Sequence, residues 1–133
     1  MFLYVHHVHY VVRNRDEMVA YIEKNFGMKP DFLGINSNGK EASYEVGKTE
    51  IQIVEPLPGS KQEQHLAQHG PSVYHVAWAV EDAQKMAAEL VAKGNKVSQS
   101  KGTTRDGYPH CNLDPASSLG VRFELVTGRK KVS

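Results

Sequence analysis

The chain has 133 residues, with 16 Lys+Arg against 15 Asp+Glu and a formal net charge of +1. That length suits one ordinary domain, or two very small halves sharing a core. An apolar fraction of 40% and a charged fraction of 23% are globular values that exclude a disordered chain, and the near-zero balance lacks the basic footprint of a nucleic-acid binder.

In chain order, the N-terminal Met1-Phe2-Leu3-Tyr4-Val5-His6 has no signal-peptide layout. Val5-His6-His7-Val8-His9-Tyr10-Val11-Val12 is rich in β-branched and aromatic residues and predicts a strand. Met18, Tyr21, Ile22 and Phe26 then recur at helical spacing, with Gly27 as the stop and Pro30 beyond it. Two short strands should follow before Glu50-Ile51-Gln52-Ile53-Val54 closes the half. The connection from Pro56-Leu57-Pro58-Gly59-Ser60 to Gly70-Pro71 is polar, with one helical turn expected around Leu66.

The same pattern then repeats. Val73-Tyr74-His75-Val76-Ala77-Trp78-Ala79-Val80 matches the first strand in register, 68 residues later. Met86, Leu90 and Val91 form the second helical pattern, Gly94 ends it, and Arg122-Phe123-Glu124-Leu125-Val126 is the second closing strand. The chain therefore reads as α+β, two βαβββ modules over about 3–56 and 72–128 joined by linker 57–71. A half of about 60 residues is marginal alone, so the two are expected to pack as a single domain over 1–133. The tail from Gly128 to Ser133 is expected to fray. No apolar run approaches the roughly 18 residues that span a bilayer. A lone Cys111 excludes an internal disulfide and points to a reducing, cytoplasmic location.

Strand side chains alternate between faces. His7 shares a face with Val5, His9 and Val11, and His75 shares one with Ala77 and Ala79. The larger apolar residues on the opposite faces, Trp78 and Tyr10 among them, are expected in the core beneath the helices. Ile51, Ile53, Phe123 and Leu125 fall on the core side of the closing strands, which leaves Gln52 and Glu124 on the other. A pseudo-twofold between the halves would make His7 equivalent to His75 and Gln52 equivalent to Glu124. Two imidazoles, an amide oxygen and a carboxylate converging on one point suit a borderline divalent ion, Co²⁺, Zn²⁺, Ni²⁺ or Mn²⁺. His9 is a candidate accessory at the place of Ala77. His6 points away, and His65 and His69 are expected to be solvated in the connection. His110 and Cys111 lie on opposite faces of one strand, either able to reach the polar face.

These residues resemble the vicinal oxygen chelate superfamily, which includes glyoxalase I, bleomycin-resistance proteins, extradiol dioxygenases and methylmalonyl-CoA epimerases. The likeness runs from about Val5 to Val126. It implies paired βαβββ modules forming a U-shaped, partly open mixed sheet around a divalent metal, with His7, Gln52, His75 and Glu124 as ligands. Within the superfamily the likeness is greatest to methylmalonyl-CoA epimerases. It rests on the order of that ligand set, on Gln52-Ile53-Val54-Glu55-Pro56-Leu57, on Leu66-Ala67-Gln68-His69-Gly70, on Tyr74-His75-Val76-Ala77-Trp78 and on Gly39-Lys40-Glu41-Ala42. That resemblance implies a metal-dependent epimerase or racemase of an acyl-CoA, with Glu41 and Glu124 as the two proton-handling groups, and a homodimer. Glu45 shares the strand face of Glu41 and would replace it if the register slipped by two. The turn Asp114-Pro115-Ala116 lacks the basic residue of the epimerase turn, so the acyl group stays open. The alternatives are a glyoxalase-I-type lyase acting on a hemithioacetal, a non-catalytic resistance protein, which would lack the ligands, and a dioxygenase.

Overall fold

A computed structural model describes the backbone of residues 1–103 and 109–128 and the side chains of 1–98 and 109–128. The elements run β1 (Tyr4–Val11), α1 (Arg15–Phe26), β2 (Phe32–Asn36), β3 (Gly39–Val46), β4 (Thr49–Pro56) and α2 (Lys61–His69), then β5 (Ser72–Val80), α3 (Ala83–Ala92), β6 (Val97–Thr103), β7 (Pro109–Leu113) and β8 (Phe123–Thr127). The chain groups into two compact units, His7–Tyr74 and Met1–His6 together with the chain from His75 onward. The tail 129–133, expected to fray, lies outside the described residues.

In the first unit the strand order is β2-β3-β4-β1. β4 pairs parallel with β1 and antiparallel with β3, and β3 pairs antiparallel with β2. Helix α1 begins where the Asn14 side chain accepts a hydrogen bond from the Glu17 amide. It stops at Gly27, whose φ of 69° is left-handed and whose N–H donates to the Glu23 carbonyl. Met18, Val19 and Ile22 pack on a buried cluster of Val12, Ala42, Tyr44 and Ile53, with Ile51 beside it. Tyr21 and Phe26, counted in the helical pattern, are exposed instead. The buried stripe follows i, i+1, i+4 and leaves both rings on its flank.

Helix α2 is longer than the single turn expected around Leu66. Ser60 caps it by accepting from the Glu63 amide, and the Glu63 carboxylate accepts from the Gly59 N–H. This is a variant of the capping box, its return bond going to the residue before the cap, and Ser60-Lys61-Gln62-Glu63 carries its sequence pattern.

In the second unit the order is β5-β8-β7-β6. β5 pairs parallel with β8, and β7 pairs antiparallel with both β8 and β6. Asp82 caps α3 by accepting from the Gln84 and Lys85 amides. Ala83 and Ala87 are fully buried in a cluster with Val80, Cys111 and Leu125, with Trp78, Met86, Leu90, Val97 and Leu113 packed around it. The small alanines let the helix backbone lie close to the sheet, while Val91 is exposed. The N-terminal residues add to this unit, since Leu3 N–H donates to the Ala79 carbonyl at 2.8 Å and the Phe2 ring stacks on Trp78 at 4.7 Å.

The fold class is α+β, two βαβββ modules in which the first and last strands pair in parallel. One core expectation fails. Tyr10 is 37% exposed, because the apolar face of β1 delivers Val12 rather than Tyr10 to the cluster under α1.

Candidate active site

Directly paired strand residues share a sheet face. In the first unit His7 lies opposite Glu50, His9 opposite Gln52 and Val11 opposite Val54 across β1 and β4. Across β3 and β4, Glu41 lies opposite Val54, Ser43 opposite Gln52 and Glu45 opposite Glu50. One face of this sheet therefore carries His7, His9, Gln52, Glu50, Ser43 and Glu41, while Ala42, Tyr44 and Ile53 turn toward α1. His7, His9, Glu41, Ser43 and Glu50 on that face are all buried.

Burying so many polar groups costs free energy unless they are paired. The Ser43 hydroxyl donates to Glu41 Oε2 at 2.9 Å. Gln52 Nε2 donates to Glu50 Oε1 at 3.1 Å, which commits the amide nitrogen and turns the amide oxygen away from Glu50. Glu41 is 2% exposed, so it is no solvated hairpin residue. Glu45 is exposed, with its backbone N–H donating to Asp31. Arg15 reinforces the strand under Glu41. Its Nη1 donates to the carbonyls of Gly34 and Glu41, at 2.9 and 3.2 Å, and these two residues face each other across β2 and β3.

The second unit repeats the layout. Ala77 lies opposite Glu124, the place that His9 takes opposite Gln52. In both modules the oxygen-bearing residue thus sits two positions beyond the residue that would face the histidine. In the second module this offset brings His75 Nε2 to 2.6 Å from Glu124 Oε2. That separation is hydrogen-bonding distance. On β7, Asn112 lies opposite Glu124 and His110 opposite Val126, so His110 holds the place that Glu41 holds in the first module. His110 Nε2 is 4.0 Å from Glu124 Oε1.

Two histidine and cysteine expectations change. Cys111 faces Leu125 and lies in the α3 core, so it does not reach the polar face, and burial pushes its thiol up to about 11, with the Glu124 charge adding to the effect. His65 is half-buried rather than solvated. It hydrogen-bonds Ser72 at 3.0 Å and packs against Tyr74, while His69 is exposed at its edge. Tyr44, on the core face, has its hydroxyl pushed up by burial and then by the Glu23 charge. Ser43, Glu50 and Arg15 escaped the sequence reading. The first two were within reach of it, because they alternate with Glu41 and Gln52 on the same strands.

Residues 6–111 match the glyoxalase/bleomycin resistance protein/dioxygenase superfamily. The chain belongs to that superfamily. No curated protein shows a significant match to the sequence. Among solved structures, methylmalonyl-CoA epimerase from Mycobacterium tuberculosis is similar over 98% of this chain and 91% of its own, at 23% identity and a TM-score of 0.84. A Streptomyces coelicolor methylmalonyl-CoA epimerase in complex with 2-nitronate-propionyl-CoA is similar over 98% of this chain and 100% of its own, at 22% identity and a TM-score of 0.83. A methylmalonyl-CoA epimerase in complex with methylmalonyl-CoA and NH4+ is similar over 96% of both chains, at 23% identity and a TM-score of 0.82. Likeness at this identity establishes the fold. Superfamily membership and the α+β fold agree with the expectation drawn from the repeat and the histidine motifs.

Proposed function

We propose that this chain is a metal-dependent epimerase of a methylmalonyl-CoA-like acyl-CoA, with His7, Gln52, His75 and Glu124 holding one divalent ion. The observation that carries the reading is the matched polar face of the two modules. Each presents a histidine and an oxygen donor at the same register offset, and the first adds a buried carboxylate, Glu41. Two imidazoles, an amide oxygen already turned from its hydrogen-bond partner and a carboxylate are a donor set that fits Co²⁺, Zn²⁺, Ni²⁺ or Mn²⁺. The fold shared with epimerases bound to acyl-CoA ligands supports the substrate class.

A divalent ion held by these residues would supply Lewis acidity toward a thioester carbonyl. Glu41 then takes the proton from the α-carbon, leaving the C–H electron pair delocalised over the carbonyl as an enolate. Glu124 returns a proton to the opposite face, which inverts the configuration. The cycle leaves Glu41 protonated and Glu124 ionised, so both must re-equilibrate with solvent before the next turnover. The Ser43 hydroxyl holds Glu41 in one rotamer for this step, and Arg15 holds the strand beneath it.

The test is exchange of solvent deuterium into the α-position of methylmalonyl-CoA, read by mass spectrometry. The native chain should exchange only with a divalent ion present, and Glu41→Gln should lower the rate by at least about 100-fold with metal content unchanged. Absence of metal-dependent exchange in the native chain would remove the epimerase reading and leave the superfamily assignment intact.

A further inference from the structure

One buried acid takes no part in the reaction just described. Glu50 is 7% exposed, on the polar face of β4, two residues before Gln52 and directly opposite His7 on β1. Its Oε1 accepts the Gln52 amide nitrogen at 3.1 Å. The repeat shows that the fold does not require an acid there. Gln52 corresponds to Glu124 in register, so the counterpart of Glu50 is Arg122, of opposite charge. The position therefore carries a carboxylate in the first module and a guanidinium in the second.

The donor set explains the asymmetry. The second module offers a carboxylate, Glu124, and the first offers only a neutral amide. Two imidazoles, an amide and one carboxylate leave a divalent ion with one positive charge unbalanced. A buried carboxylate bonded to the amide ligand and facing the histidine ligand balances it. An amide is also ambiguous as a ligand, because its nitrogen and oxygen ends have nearly the same shape and only the oxygen binds a metal. Fixing the nitrogen on Glu50 removes that ambiguity. Partners that orient metal ligands in this way commonly change affinity by 10- to 100-fold when removed.

We infer that Glu50 is a positioning and charge-balancing residue of the metal site, presenting the Gln52 oxygen to the ion and supplying the second negative charge of the set. This rests on the metal-site reading above. Glu50 touches neither substrate nor reacting atoms in this scheme.

The experiment is a Co²⁺ titration of the chelator-treated chain, followed by the visible d–d absorption of the bound ion, on the native chain and three variants. The native chain should bind one equivalent. Glu50→Gln keeps the shape and removes the charge, and should weaken binding by about 10-fold. Glu50→Ala also frees the amide and should weaken it by about 10- to 100-fold. The double variant Glu50→Gln with Gln52→Glu restores one carboxylate at the ion and should return the affinity to within about threefold of native, a recovery that a purely structural role for Glu50 does not predict. Far-UV circular dichroism checks that each variant folds, and Glu50→Gln carries the test if Glu50→Ala does not. Native one-to-one binding with unchanged affinity in Glu50→Gln would overturn this inference and leave the metal site standing. A native chain that binds no Co²⁺ would overturn the site itself.

Discussion

Replacing Arg15 by Ala isolates a support that lies outside the polar face yet bears on Glu41. The guanidinium side chain is 11% exposed, and one nitrogen bridges the Gly34 and Glu41 carbonyls at 2.9 and 3.2 Å. A hydrogen bond from a charged donor contributes about 1.5–3 kcal/mol net. Two bonds sharing one nitrogen do not add fully, so about 2–3 kcal/mol is a fair sum. The Nε contact to Asp16 is set aside, because Asp16 is 70% exposed and such surface pairs contribute about 0–1 kcal/mol. Alanine returns at most a few tenths through helix propensity at the first position of α1. The expected loss is therefore ~2–3 kcal/mol, measured by equilibrium urea unfolding at neutral pH with an unchanged m-value. Arg15→Lys should recover under half of it, since a more flexible and more strongly hydrated ammonium must reach the same two carbonyls. A loss below about 0.5 kcal/mol would refute the assignment of Arg15 as a strand clamp.

Other consequences follow from the same geometry. Gly39 opens β3 at a φ of 133°, and a Cβ there would meet the Glu55 carbonyl oxygen at 2.2 Å. Gly39→Ala should cost about 3 kcal/mol or more from combined clash and strain, and should lower the proposed epimerisation by disturbing the strand of Glu41; unchanged stability would contradict this. The Cys111 thiol, raised to about 11 and buried in the α3 core, should resist a thiol reagent at pH 8 until the chain unfolds. Its ordinary value is 9.0, so between pH 9 and about 11 the unfolded chain loses this proton while the folded chain keeps it. Stability should fall as pH rises through that window, and Cys111→Ala should lessen the fall. An equal slope in both would show that the thiol is not the group responsible.

Much of this was legible in the sequence because the modules repeat. The 68-residue spacing of the two His-Val strands marked β1 and β5, and alternation placed Gln52 and Glu124 on the face opposite Ile53 and Leu125. Helix packing was less legible. Apolar spacing does not say which of two adjacent stripes meets the sheet, so the helical patterns take in Tyr21, Phe26 and Val91, which are exposed, while Ala83 and Ala87 carry the contact of α3. Cys111 and His110 could not be separated until the β7–β8 register placed one opposite Leu125 and the other opposite Val126. Arg15 had no signal, because its bonds go to carbonyls 19 and 26 residues away, contacts that no local pattern encodes.

The central claim is that the two modules share one ion. Metal content per chain after loading and exhaustive dialysis tests it most directly, on the native chain, His7→Ala and His75→Ala. The account predicts one ion per native chain and none held tightly by either variant, although each loses a histidine from a different module. Full stoichiometry retained in both variants would contradict it.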